Sequence, residues 1–200
     1  MNQRERLRKR CSAAHDELER SEIMRRLMSP RPSRRDYQAL LQCLYQSLAP
    51  FCAAMDDALD GYAHPVLSPA DLPRFLLADL NDLDACASHA LSPSPFQCPA
   101  IESEAEWLGA WYVLEGAALG GAVIAPQLRR HLGADLPVRY LAERGEPEHR
   151  RWQQFDAHFS GILEHSELLE PVISGAKLSY GLIAQAMQAA QQRRDRSSAD

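Results

Sequence analysis

The chain of 200 residues is poor in the signals by which enzymes and binding modules are usually recognised. Its five cysteines, at 11, 43, 52, 86 and 98, are scattered and form no C-x-x-C pair. That excludes a zinc ribbon or a disulfide framework and fits a reducing, cytoplasmic setting. No run of about 20 apolar residues offers itself as a membrane span, and the N-terminus is charged, unlike a secretory leader. No G-x-S-x-G, P-loop or dinucleotide fingerprint is present. Histidines 64, 89, 131, 149, 158 and 165 make no H-x-x-x-H or H-E-x-x-H pattern. Alternation of period two is missing as well, which leaves no basis for a sheet. Lysine is nearly absent: Lys9 and Lys177 are the only two.

What is there is helical and unevenly charged. Apolar residues make up 46% of the chain, enough for one core, and net charge is −5. Residues 1–35 hold eleven Arg/Lys against five Asp/Glu, a balance of +6 that leaves −11 for the remainder. A basic first segment suits an anionic ligand or an acidic protein partner. Nucleic acid is not expected, because these basic residues are not interleaved with aromatics. The fold class read from the spacings is all-α, one domain over 1–192 with a disordered tail at 193–200.

The periodicity predicts six helices. The first covers residues 3–28 and is stopped by Pro30 and Pro32. A second starts at Ser33 and carries the stripe Tyr37, Leu40, Leu41, Leu44, Leu48, Phe51 and Met55. A connection at 61–69 leads to a third that fades near His89, followed by a proline-rich loop at 91–100. The fourth begins at a capping pattern, Ser103 with Glu106, and ends at Gly133. A loop over 134–147 precedes a fifth helix around Trp152–Leu163 and a sixth from Leu168 to about Gln192.

The fourth helix organises the chain. From Trp107 to Ile124 its only charge is Glu115, so it is expected at the centre of the protein. Yet it contains Gly116, Gly120 and Gly121, each costing about 1 kcal/mol against alanine. Bare backbone on one face admits either a neighbouring helix or a flat ligand. His15 is the second candidate, a lone histidine on the apolar side of a strongly charged helix. It reads either as a hydrogen-bonded core residue or as a metal ligand through neutral imidazole. Glu115 reads as a buried structural carboxylate or as a catalytic one.

Two motifs together resemble the haem oxygenases, and within them the bacterial branch associated with bacteriophytochromes. Leu7-Arg8-x6-His15-x-x-Leu18-Glu19 resembles that family's proximal helix, and Tyr112-Val-Leu-Glu-Gly116-x-x-Leu119-Gly120-Gly121-x-Val-Ile its distal helix. The resemblance implies a single helical domain with haem held between these two helices. It implies His15 as the iron ligand, Gly116, Gly120 and Gly121 as the distal wall and catalytic face, and Arg8 and Lys177 as partners of the haem propionates. For Arg8 a plain solvated charge is the alternative, and Phe155 and Phe159 serve as pocket wall or ordinary core.

The activity so implied is cleavage of haem, at once substrate and cofactor, to biliverdin, CO and iron. It would use O2 and an external electron donor, a ferredoxin-like protein or a flavoprotein, with a bacteriophytochrome as possible biliverdin acceptor. One departure from the family pattern stands out. Ala117-Ala118 supplies no polar side chain where relatives place one, which keeps open a non-enzymatic haem-binding or haem-sensing protein on the same fold.

Overall fold

The computed structural model describes residues 2–58, 69, 71–83, 98, 100–142 and 148–197. Among them lie eight α-helices, a short 3-10 turn and no strand, so the all-α expectation holds. Helix α1 (Gln3–Glu19) is opened by a capping box: Asn2 Oδ1 accepts from the Glu5 N–H at 2.8 Å, and Glu5 accepts from the Asn2 N–H at 3.0 Å. The single helix expected over 3–28 is in fact two. The Ser21 hydroxyl accepts from the Met24 N–H at 3.3 Å and starts α2 (Glu22–Leu27). A serine that caps a new turn outcompetes continuation of the old one.

Helix α3 (Arg34–Asp57) begins at the expected Ser33–Asp36 box and buries Tyr37, Leu41, Leu48, Phe51 and Met55. Helix α4 (Asp71–Asp82) follows. The end expected for it near His89, most of the connection at 61–69 and nearly all of the loop at 91–100 lie outside the described residues. Helix α5 (Glu104–Leu132) is capped by Ser103, whose hydroxyl accepts from the Glu106 N–H, and stops at Gly133 with φ +115°. Both ends agree with the sequence reading.

The segment read as a loop at 134–147 contains one further helix, α6 (Arg139–Ala142). Its cap comes from elsewhere in the chain. Asp79 of α4 accepts from the backbone N–H groups of Arg139 (3.1 Å) and Tyr140 (2.9 Å), an arrangement no local pattern could announce. Helix α7 (Glu148–Glu164) and a 3-10 turn lead to α8 (Leu169–Ser197). Residues 193–197, expected to be a frayed tail, continue α8. Arg193 donates to Gln46 and Arg194 to Asp36, tying this end to α3. Residues 198–200 lie outside the described residues.

Helices α5 and α8 form the central pair and cross at backbone contact distance. A Cβ built at Gly109 would fall inside the Val172 carbonyl, and one at Gly175 inside the Glu106 carbonyl. Only glycine permits that approach. Trp107 donates from Nε1 to the Met55 carbonyl at 3.0 Å and stacks on Trp111, fastening α5 to α3. Helix α5 is long and apolar enough to cross a membrane by length and composition. Here its apolarity is explained by position, since α8, α6 and α7 surround it. Helix α1 packs chiefly on α8, with α2 and α7 as lesser neighbours, and α5 is not among its main partners.

Candidate functional site

His15 sits in the last turn of α1. Cys11 and Leu7, one and two turns earlier, are buried, but the His15 side chain is 54% exposed. The core-histidine alternative needs burial, and this residue lacks it. One ring edge meets Tyr180 of α8 in a T-shaped contact at 6.2 Å between centroids. Glu19, one turn on, places Oε1 3.8 Å from Nδ1. The imidazole is thus flanked by a ring and a carboxylate while open to solvent.

The glycines of α5 fall into two classes. Gly121, like Gly109, is a close-packing residue: an added Cβ would overlap the Leu141 carbonyl of α6. Gly120 is exposed, and a Cβ there would meet nothing within 4 Å; at Gly116 it would meet only the Trp152 ring, at 4.0 Å. The two open glycines are four residues apart, and Val123, 65% exposed, lies three residues beyond Gly120, so all three share one face of the helix. Ala117 is exposed beside them, Ala118 is buried, and Glu115 is buried at 1% exposure.

An aromatic cluster lies beside Gly116. Tyr112 of α5 stacks on Phe159 (5.2 Å) and tilts against Trp152 (5.8 Å), and Phe155 stacks on Phe159 (5.0 Å). Burial pushes the Tyr180 pKa up to about 12, helped by Tyr112 and Cys11. Tyr180 borders His15, while Trp152 and Tyr112 border Gly116. Phe155 and Phe159 are fully buried and belong to the core.

Of the two expected anion partners, Lys177 projects from α8 toward Cys11. Burial raises that thiol's pKa, while Lys177 and Arg10 pull it back. Lys177 and Arg8 are both exposed, and among the described residues neither makes an ion pair. Arg10 and Arg4 are committed elsewhere, to Glu170 (2.9 and 3.0 Å) and to Asp156 and Ser160 of α7. A cleft of about 350 Å³ at the end of α1, lined by Ala13, Leu18, Met187 and Gln188 among others, includes neither His15 nor the glycines.

Sequence reasoning gave no role to Glu19, Tyr180, Trp152 or Gly109. The i, i+4 spacing of His15 and Glu19 was the one available signal. Tyr180 and Trp152 come to the site only through the packing of α8 and α7.

Residues 1–189 match the family model described as Heme oxygenase. A haem oxygenase of Xanthomonas campestris pv. campestris is 30% identical over 105 residues, which is 52% of this chain. The matched stretch spans 60% of that relative's own length. Among solved structures, the haem oxygenase from Neisseria meningitidis, determined with NO and CO bound, superposes with a TM-score of 0.68. That likeness covers 95% of this chain and 92% of the other at 21% identity, and concerns the fold.

Proposed function

The chain belongs to the haem oxygenase family, and on that premise we propose that it cleaves haem to biliverdin, CO and iron. O2 and an external electron donor are the co-reactants. The observation that carries this reading is the Cβ-free open face on α5 beside Trp152 and Tyr112, in a chain whose α1 presents an exposed imidazole. A planar aromatic ligand fits such a cradle, since glycine lets it approach the backbone while Tyr112 and Trp152 offer apolar edges. When bound, haem supplies the iron that activates O2 and is itself the molecule cleaved.

The chain's own residues then have separable tasks. His15 would hold the iron, with Glu19 beside Nδ1 setting the ring's orientation and leaving the other nitrogen to coordinate. Gly116 and Gly120 keep the opposite side shallow and apolar, so water is displaced when the ligand seats. Gly121 acts through position: it lets α6 close on α5 and hold the open face straight behind the ligand. Arg8 and Lys177 would supply charge for the haem propionates and so set the orientation in which the ring is held. With no polar atom on Ala117, any ordered water at this face would rest on backbone carbonyls or on residues elsewhere.

The bareness of Ala117 favours a second reading, a haem-binding or haem-sensing protein without turnover. A single experiment separates the two. Haem-loaded protein supplied with a reductant under O2 should lose its haem absorbance and yield a bilin, with CO trapped as product. Persistent haem absorbance without bilin leaves only the binder, and absence of a histidine-ligated spectrum refutes both. The basic segment 1–35 suits an acidic ferredoxin-like or flavoprotein donor in the cytoplasm. A bacteriophytochrome is the acceptor to test for the biliverdin.

A further inference from the structure

We propose that Tyr180 is a positioning residue for His15, holding the imidazole in one orientation from the neighbouring helix. The histidine has little of its own to fix it. It stands near the end of α1 with 54% of its side chain exposed, and the χ2 torsion of histidine is broad. Glu19 lies on the same helix, is itself 66% exposed, and comes only within 3.8 Å of Nδ1. A contact of that kind marks one nitrogen without locking the ring. Tyr180 differs in kind. It belongs to another helix, is half-buried against the core, and meets the imidazole at 83° with centroids 6.2 Å apart. Perpendicular ring pairs at this separation attract and are directional.

The fold brings the two rings together with little freedom. Helices α1 and α8 are joined by ties on either side of the contact. Arg10 donates twice to Glu170, at 2.9 and 3.0 Å, and Gln188 donates to Glu17 at 3.3 Å. His15 falls between Arg10 and Glu17 along α1, just as Tyr180 falls between Glu170 and Gln188 along α8. Each tie is exposed and contributes little to stability; what the two set is register. The turn that carries Tyr180 is fixed in its own right. Ser179 beside it is fully buried and donates to the Ala110 carbonyl of α5 at 3.1 Å, and Ala176 and Ile183 are buried one turn before and almost one turn after. A ring on a rigid turn thus orders a ring that projects into solvent.

The consequence for ligand binding rests on the proposed function, in which His15 would hold the iron; the ring pairing itself does not. Glu19 and Tyr180 restrain different motions. Glu19, near Nδ1, selects which nitrogen stays free. Tyr180, against the ring, restrains rotation about Cβ–Cγ and so the direction in which the free nitrogen points. A side chain ordered in advance need not be ordered when the ligand arrives, a difference of about 2- to 10-fold in affinity for one side chain. The aromatic ring exerts this restraint, not the hydroxyl, so phenylalanine at 180 should serve as well as tyrosine.

The test begins with the haem-free full chain carrying 13C-labelled histidine, its His15 signals assigned by their loss in H15A. In wild type and in Y180F the His15 ring should show nuclear Overhauser contacts to residue 180 and an order parameter near that of rigid backbone, about 0.85. In Y180L the order parameter should fall below about 0.6. Haem titration should then give Y180L an affinity about 2- to 10-fold weaker than wild type, with shifted g-values in the electron paramagnetic resonance of the ferric complex. Y180F should match wild type in both. A freely averaging His15 in wild type, or equal order parameters in wild type and Y180L, overturns the proposal. So does a Y180L that loosens the ring yet keeps the wild-type haem affinity and g-values. An ordered His15 in a wild type without any histidine-ligated haem spectrum refutes the haem reading and leaves the ring pairing standing; a normal haem spectrum with a freely averaging His15 does the opposite. Circular dichroism of each variant checks that helicity is unchanged, and the wild-type and Y180F measurements decide the ring pairing even if Y180L does not fold.

Discussion

Replacing Gly120 and Gly109 by alanine, one at a time, sets the two classes of α5 glycine against each other. Alanine at an unobstructed helix interior position gains about 1 kcal/mol over glycine. At Gly120 the new methyl meets nothing within 4 Å, so that gain should appear in full. For a chain of this length it corresponds to a rise in Tm of about 2–4 °C. At Gly109 the methyl overlaps the Val172 carbonyl carbon and oxygen, which are main-chain atoms of α8 and cannot rotate away. Overpacking of that kind costs about 1–3 kcal/mol, toward the upper end where backbone must move. After the propensity gain a net loss of about 2 kcal/mol remains, a fall of roughly 4–8 °C.

Thermal unfolding of the haem-free proteins, followed by helical circular dichroism, reads both numbers. Haem titration then reads what stability does not. If the open face is the distal wall, the Gly120 methyl intrudes on the ligand by a comparable penalty of about 1–3 kcal/mol, or roughly 5- to 150-fold in Kd. The expected signature of G120A is therefore a more stable apoprotein with poorer haem binding. A lower Tm for G120A would mean that this face is packed, and the sorting of glycines would be wrong. A higher Tm with unchanged haem affinity and turnover would remove Gly120 from the site altogether.

Four further outcomes follow from the same geometry. His15→Ala should abolish the haem-dependent rise in Tm that wild type shows, worth about 2.7 kcal/mol at a haem concentration 100 times Kd, while leaving the apoprotein Tm nearly unchanged because the side chain is exposed. Asp79→Ala should cost about 2–4 kcal/mol by urea unfolding, since it strands the two N–H groups that begin α6 and the Arg139 guanidinium; a loss below about 1 kcal/mol would show that α6 does not depend on its remote cap. Burial pushes the Asp36 carboxyl up, but hydrogen bonds from Ser33 and Arg194 outweigh it and hold the pKa below the ordinary value, so its stabilising contribution is present above that value and is lost as pH falls through the folded one. The Tm of Asp36→Asn should accordingly fall less than that of wild type between about pH 5 and pH 2. Arg10→Ala, which breaks an exposed bidentate pair with Glu170, should change stability by less than about 1 kcal/mol, and less still in high salt.

The fold was largely legible because its helices are specified locally. Ser33 with Asp36, Ser103 with Glu106, and Gly133 lie at ends where the sequence placed them, and the stripe from Tyr37 to Met55 is the buried face of α3. Misplacements occurred where tertiary partners decide. Ser21 could have sat within a long first helix, and capping made it a boundary. Helix α6 has no cap of its own and exists because Asp79, sixty residues earlier, supplies one. The end of α8 is held straight by Gln46 and Asp36 of α3 rather than by its own polar sequence.

The site was legible in its parts but not in their sorting. Gly120 and Gly121 are adjacent and chemically identical, so no periodicity distinguishes the glycine that admits a neighbouring backbone from the one left bare. The 100° step between them decides it: Gly121 turns to α6 and Gly120 to open space. The close-packing explanation therefore holds at Gly121, and Gly120 keeps the open face that a flat ligand would need. The packed face makes the open one usable. Gly121 brings α6 against α5 and Gly109 brings α8 against it, fixing the helix from two sides, so a third side can stay uncovered. His15 follows the same logic, exposed at the end of a helix whose earlier turns, at Leu7 and Cys11, are anchored in the core.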